Sequence, residues 1–210
     1  MIIKKEQQNT NQWLEMRKGK ITGSKLKDII VKRGTERKIG FYQLMADRLS
    51  LVEEYEDPME RGHRLEDEAI AEFEKLTKKK VEQVGLCISD ENENIALSPD
   101  GLIKIGKKYK EGIEMKCLSS ALHLKGYFEK KVPKEYLEQV YQYFIVNTDL
   151  EKLYFVFYDP RVTVKPIHFV EIDREDVEDE IQFAKDYQEQ TLKEIEELLL
   201  TLFYLCKNST

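Results

Sequence analysis

The stretch Ser98–Lys116, SPDGLIKIGKKYKEGIEMK, reads as two extended runs around a turn, and it gathers two carboxylates and a lysine in a way that stability alone does not require. Ser98-Pro99-Asp100-Gly101 closes the first run, and Ile113-Glu114-Met115-Lys116-Cys117 forms the second. A hairpin about Gly106-Lys107-Lys108 is symmetric near position 107, so Asp100 falls opposite Glu114. Strand side chains alternate faces. Glu114 and Lys116 therefore share one side, while Ile113, Met115 and Cys117 share the other, apolar one.

Two carboxylates held a few ångströms apart repel unless a divalent cation lies between them or one takes up a proton. A hard, oxygen-seeking ion such as Mg²⁺ suits such a pair, with water and substrate phosphate completing its shell. Lys116, one step beyond, is placed to position or deprotonate a water or to stabilise charge on a phosphorane-like transition state. The same residues also fit an ordinary polar hairpin with Lys and Glu on its solvated face. The hairpin by itself leaves both readings open.

Outward from this stretch, 210 residues with 41% apolar and 10% aromatic content are enough for one globular domain with a substantial core, spanning 1–210. No apolar run approaches a bilayer span and MIIKKEQQNT lacks a signal-peptide core, so a cytoplasmic location with no membrane contact is expected. Cys87, Cys117 and Cys206 have no CxxC or Cys/His spacing, which argues for buried thiols over a disulfide framework or zinc site. The net charge of −6 hides an uneven distribution. Residues 1–40 hold eleven Lys/Arg against four Asp/Glu, and residues 171–200 hold three against twelve. A basic front and an acidic tail are compatible with one DNA-facing surface.

Asn11–Arg17 reads as a short helix anchored by Trp13 and Leu14, and a second helix starts within ITGSKLKDII with Thr22 or Ser24 as N-cap. That start, with Arg17 and Lys20 upstream, suits a phosphate monoester, or else is a simple capped helix with solvated lysines. Phe41–Val52 continues as a helix with Leu44, Met45 and Leu49 on one side. Asp57-Pro58 opens a longer helix through Leu76, with Leu65, Ala69, Phe73 and Leu76 as its buried stripe. Glu66 lies at the margin of that stripe, where its partner is Arg61, Arg64 or the Asp100/Glu114 pair. Val81–Ser98 forms two strands broken at Asp90–Asn94.

Ser119–Lys130 is expected to be helical, and Pro133 opens another helix with Tyr136, Gln139, Val140 and Tyr143 along one face. Gln139 is unusual there for pure packing, although a hydrogen-bonded spacer is also possible. Leu153–Tyr158 is a buried strand, Pro166–Ile172 its neighbour, and Glu171 onward a long acidic helix with Val177, Ile181, Ala184, Tyr187, Leu192, Ile195 and Leu199 as its apolar positions. His63, His123 and His168 lack ligand spacing and read as ordinary helix or strand residues. The order predicts an α/β fold, a mixed sheet flanked by helices.

Several segments together resemble lambda-exonuclease-type (YqaJ-like) viral recombinases of the PD-(D/E)XK nuclease superfamily. They are Trp13-x3-Arg17, Ile21-Thr22-Gly23-Ser24, Gly62-x3-Glu66-x2-Ala69, Ser98-Pro99-Asp100-Gly101-Leu102, Glu114-Met115-Lys116-Cys117, Gln139 and Tyr158-Asp159-Pro160-Arg161. The resemblance covers about residues 11–172 and leaves 173–207 as a C-terminal acidic helix that matches less clearly. It implies a restriction-endonuclease-like core and a Mg²⁺-dependent exonuclease, with Mn²⁺ able to substitute. Such an enzyme removes one strand of linear duplex DNA from a 5′ end and leaves 3′ overhangs for recombination.

By the same resemblance, Asp100, Glu114 and the carbonyl of Met115 hold metal, and Glu66 holds a second ion or its water. Lys116 and Gln139 orient or activate the attacking water. Arg17 and Ser24, assisted by Ser98, grip the terminal 5′-phosphate. A single-strand annealing protein and assembly into a homotrimer ring are further implications. A DNA endonuclease of the same superfamily and a non-catalytic DNA-binding module are the competing readings.

Overall fold

In the computed structural model, residues 10, 12, 20, 28–31, 34–49 and 58–207 are described. Helices α1 (Ile39–Leu49) and α2 (Pro58–Thr77) precede a short antiparallel pair, β1 (Cys87–Ile88) and β2 (Ala96–Leu97). A four-stranded sheet follows in the order β3 (Gly101–Ile105), β4 (Lys108–Lys116), β5 (Lys152–Tyr158) and β6 (Ile167–Asp173). Helices α3 (Ser120–Glu129) and α4 (Leu137–Val146) lie in the connection from β4 to β5, and α5 (Glu178–Lys207) ends the chain.

The sheet is mixed. β3 and β4 form an antiparallel hairpin. β4 and β5 run parallel, since Glu151 N–H donates to Lys110 O and a Cβ at Gly112 would abut Leu153, and the connection between them is long and helical as parallel pairs require. β6 returns antiparallel to β5. Asp159 N–H meets Pro166 O at one end of the pair, and Arg174 N–H meets Glu151 O at the other. The run Leu153–Tyr158 is buried at every position, which explains why an unbroken apolar stretch, not an alternating one, encodes β5.

By its packing the chain divides into two compact units. One contains the segment up to Phe73, Met115–Lys131 and Val156–Phe169, and the other contains Glu74–Glu114, Val132–Phe155 and Val170 onward. In the first unit α1 packs on α3, with Tyr42, Ala46, Ala121, Leu124 and Val162 forming a buried cluster. Ser119 caps α3 by accepting from Leu122 N–H. A Cβ at Gly126 would come within 2.6 Å of the Phe157 ring, so α3 can approach β5 this closely only with glycine there. In the second unit α4 packs against β2 and α5, and Gln142 ties both by donating to Ala96 O and accepting from Gln188 Nε2.

Several boundaries differ from expectation. Leu65, Ala69 and Phe73 are buried as the helical period requires, but Leu76 is 52% exposed near the end of α2, and Leu49 is likewise exposed at the end of α1. The acidic helix begins at Glu178, not at 171 or 173. Lys152 pairs with Glu171 and Asp173 and holds them in β6, and Arg174 donates to the carbonyls of Phe144, Asn147 and Leu150, so the chain stays extended to that point. Of the apolar positions read on that helix, Ile181 is buried, whereas Tyr187, Ile195 and Leu199 are exposed because the helix outruns the surface it docks on. Cys87 and Cys117 are half-buried, less enclosed than the sequence suggested. Among the described residues no helix is long and apolar enough to cross a membrane.

His123 and His168 are core residues. His123 Nε2 lies 2.8 Å from Lys165 O and His168 Nε2 lies 2.9 Å from His123 O. A carbonyl only accepts, so each ring donates from Nε2. Burial depresses both pKa values, that of His168 to about 4 from an ordinary 6.5. The unfolded chain therefore takes up protons that the folded one refuses. Stability is full above pH 6.5 and falls between pH 6.5 and about 4. Denaturant titrations are expected to lose about 2 kcal/mol or more between pH 7.5 and pH 5. His168→Phe, which keeps a ring stacked on Phe157, should remove much of that sensitivity. Equal midpoints at the two pH values would contradict this assignment.

Candidate active site

The register of the hairpin decides what faces what. Gly101 pairs with Ile113, so Asp100, one step further, lies opposite Glu114. The turn is the two residues Gly106-Lys107, shorter than the three read from sequence, and φ of +67° at Gly106 meets the demand of a type II′ hairpin. Continued without interruption, such a turn would set Asp100 against Ile113. A bulge between Ile103 and Lys104 leaves Lys110 unopposed on β3, shifts the pairing by one residue and returns Asp100 to Glu114. Alternation along β4 keeps Glu114 and Lys116 on one face.

Glu114 is only 6% exposed, so it does not lie on a solvated hairpin face. What covers it comes from α4. The Tyr143 hydroxyl lies 2.9 Å from Glu114 Oε2 and 2.7 Å from Ile113 O, and accepts from the Asp100 backbone N–H at 3.0 Å. One proton serves two acceptors, so it is shared or held by one of them. Burial, then the charges of Glu114 and Asp100, push this hydroxyl well above its ordinary range and keep it protonated. Tyr143 thus ties the backbone of one acidic residue to the carboxylate of the other.

Gly112 makes that approach possible. A Cβ there would stand 3.1 Å from the Tyr143 ring and 3.1 Å from Leu153. Gln142, next to Tyr143, holds Ala96 O in β2, the strand that leads into Ser98-Pro99-Asp100. α4 therefore steadies the Asp100 segment at two points.

The remaining residues read from sequence are placed as follows. Ser98 is exposed and Asp100 half-buried on the segment after β2. Lys116 is half-buried at the end of β4, and Met115 beside it is buried. Gln139 is exposed on the first turn of α4, one turn ahead of Tyr143 and on the same face. Glu66 is half-buried on α2. Arg17, Ser24 and Trp13 lie outside the described residues, as does most of the two helices read there; residues 28–31, at the end of the second, are a turn and irregular chain and not helix. Among the described residues no three of His, Cys, Asp and Glu form a metal-holding group. Asp100 and Glu114 stand opposite each other in the hairpin register, and carboxylates are donors that suit a hard cation such as Mg²⁺ when water and phosphate complete its shell.

Arg61, one of the partners considered for Glu66, is engaged with Asp159. Its Nη2 lies 2.9 Å from Asp159 Oδ1, and its Nη1 donates to Cys117 O and Leu118 O at 2.9 Å each. Asp159 is fully buried and also accepts from Ser120 Oγ at 2.6 Å and from Arg161. Desolvation raises its pKa, but Arg161, Ser120 and Arg61 outweigh that and the carboxyl ends below its ordinary value. This network pins the carbonyls that follow Lys116 directly in sequence.

Sequence reasoning missed Tyr143 and Asp159 as participants. Tyr143 was read as one more ring on a packing face. Its spacing of four residues from Gln139 was the available signal, because a polar tip on that face must find a partner when buried.

The description YqaJ-like viral recombinase domain matches residues 12–151. Among solved structures, an alkaline exonuclease from Laribacter hongkongensis, LHK-Exo, is 27% identical, with 93% of this chain and 100% of that chain covered and a TM-score of 0.60. The same figures hold for LHK-Exo in complex with dAMP. No curated protein matches the chain.

Proposed function

Because this chain belongs to the YqaJ-like viral recombinase domain family and is a lambda-exonuclease-type nuclease acting on DNA, we propose that it digests one strand of linear duplex DNA from a 5′ end, with Mg²⁺, and leaves 3′ overhangs for recombination. The observation that carries this reading is the meeting of the Asp100 backbone and the Glu114 carboxylate at the Tyr143 hydroxyl.

Asp100, Glu114 and the Met115 carbonyl would hold the ion, and Glu66 a second one or its water. When bound, the ion supplies a Lewis acid for a phosphoryl oxygen and a lowered pKa for water. Lys116 places its ammonium where negative charge grows on the phosphoryl group, and Gln139 orients the attacking water by hydrogen bonding. Tyr143 keeps Glu114 in place without itself giving up a proton. Arg17, Ser24 and Ser98 grip the terminal 5′-phosphate, in line with the basic balance of residues 1–40. A homotrimer working with a single-strand annealing protein in the cytoplasm completes the proposal.

The test is digestion of linear plasmid with and without a 5′-phosphate, beside closed circles, in Mg²⁺ and in EDTA. Phosphorylated linear ends should be consumed fastest, and only with Mg²⁺. Closed circles cut as readily as linear DNA would replace this reading with an endonuclease.

A further inference from the structure

The C-terminal edge of α3 carries a feature that hydrolysis does not use. Tyr127 and Phe128 are 40% and 53% exposed, neighbours in sequence at the point where a packed helix usually turns polar. They begin a file of rings. Tyr127 and Phe128 meet edge to face at 5.2 Å, Phe128 lies 6.4 Å from Tyr42, and Tyr42 lies 5.3 Å from Phe41. At the far end the Arg37 guanidinium sits 4.1 Å from the Phe41 ring centre, and at the near end Lys165 Nζ stands 5.9 Å from that of Tyr127.

The file is anchored at its middle and flanked by cations at its ends. Burial of Tyr42 and its hydroxyl bond to Glu129 fix the middle of the row. Lys130 ends α3 in the left-handed conformation at φ 51°, and both Lys130 and Lys131 are exposed beside Phe128. Glu129, an acid among them, accepts from the Tyr42 hydroxyl and pairs with Lys125 at 3.6 Å. A cavity of about 450 Å³ opens next to Phe128, with Glu36, Arg37, Glu129 and Lys131 on its wall.

We propose that this edge of α3 is a holding site for single-stranded DNA, with unpaired bases stacked on Phe128 and Tyr127 and phosphates met by Arg37, Lys130 and Lys131. Exposed ring faces between cations are what a single strand can use, because its bases have free π-faces that a duplex keeps stacked inside. Arg37, Lys130, Lys131 and Lys165 outnumber the acids Glu36 and Glu129 along this edge, a local excess of positive charge that suits a polyanion in a chain of net charge −6. The inference rests on the exonuclease reading only for the source of the strand, which is the one left after digestion.

The test measures anisotropy of a labelled oligothymidylate and of a blunt duplex of equal length, in EDTA, for the wild type, Tyr127→Ala/Phe128→Ala and Lys130→Gln/Lys131→Gln. The ring variant should bind the single strand about tenfold or more weakly and the duplex nearly as the wild type does. The lysine variant, whose exposed side chains carry little folding risk, should lower the salt dependence of single-strand binding by about one unit of slope. Unchanged single-strand affinity in both variants, or equal losses for single strand and duplex, would overturn the proposal. Unchanged affinity with a reduced oligomer in sedimentation would instead make this edge an interface between copies. Failure of the wild type to digest linear DNA would overturn the exonuclease reading but leave this binding result standing.

Discussion

Replacing Glu114 with Gln is expected to reduce cleavage of linear duplex DNA by about 10³-fold or more, the scale lost when one group that stabilises transition-state charge is removed. The substitution conserves shape at a site that is 6% exposed, and the Tyr143 hydroxyl can donate to the new amide oxygen as it does to Glu114 Oε2. The fold should therefore survive. What goes is one negative charge from the pair proposed to hold a hard cation. Binding of duplex DNA in EDTA should change little, since phosphate contacts made elsewhere supply most of it. Tyr143→Phe is the graded companion. It removes the link between Asp100 and Glu114 but no charge, and a loss of about 10- to 100-fold that added Mg²⁺ partly restores is expected. Near-normal turnover by Glu114→Gln would remove that residue from the chemistry altogether.

The second large effect is on stability. Asp159→Ala should cost about 3–5 kcal/mol, because it strands the buried Arg61 guanidinium without its counter-charge. Asp159 is fully buried, and its two oxygens are shared among Arg61, Arg161 and the Ser120 hydroxyl. In a chain of this size the loss corresponds to a fall of about 6 °C or more in Tm. Asp159→Asn, which retains an acceptor for Ser120 and Arg61, should fall between the wild type and the Ala variant. Because Arg61 also holds Cys117 O and Leu118 O, the damage should reach the end of β4 that carries Lys116. A Tm within about two degrees of the wild type would show that the network contributes specificity and little stability.

Periodicity and chain order were enough to read the α/β class, the hairpin from Gly101 to Lys116 and the buried run of β5. These are local properties, in which a period of 2 or 3.6 and a glycine in the turn leave few alternatives. Three matters were decided only by tertiary packing. The bulge opposite Ile103 sets the register that joins Asp100 to Glu114, and a bulge has no reliable local signal. Tyr143 becomes part of the site because Gly112 lets α4 descend onto β4, a contact between residues 31 positions apart. Arg61 meets Asp159, 98 positions along the chain, because burial rewards a partner with several donors already around it. Which side chains were available was written along the chain. Which of them met was settled by the exclusion of water from a shared interior, a property of the folded whole and of no single stretch.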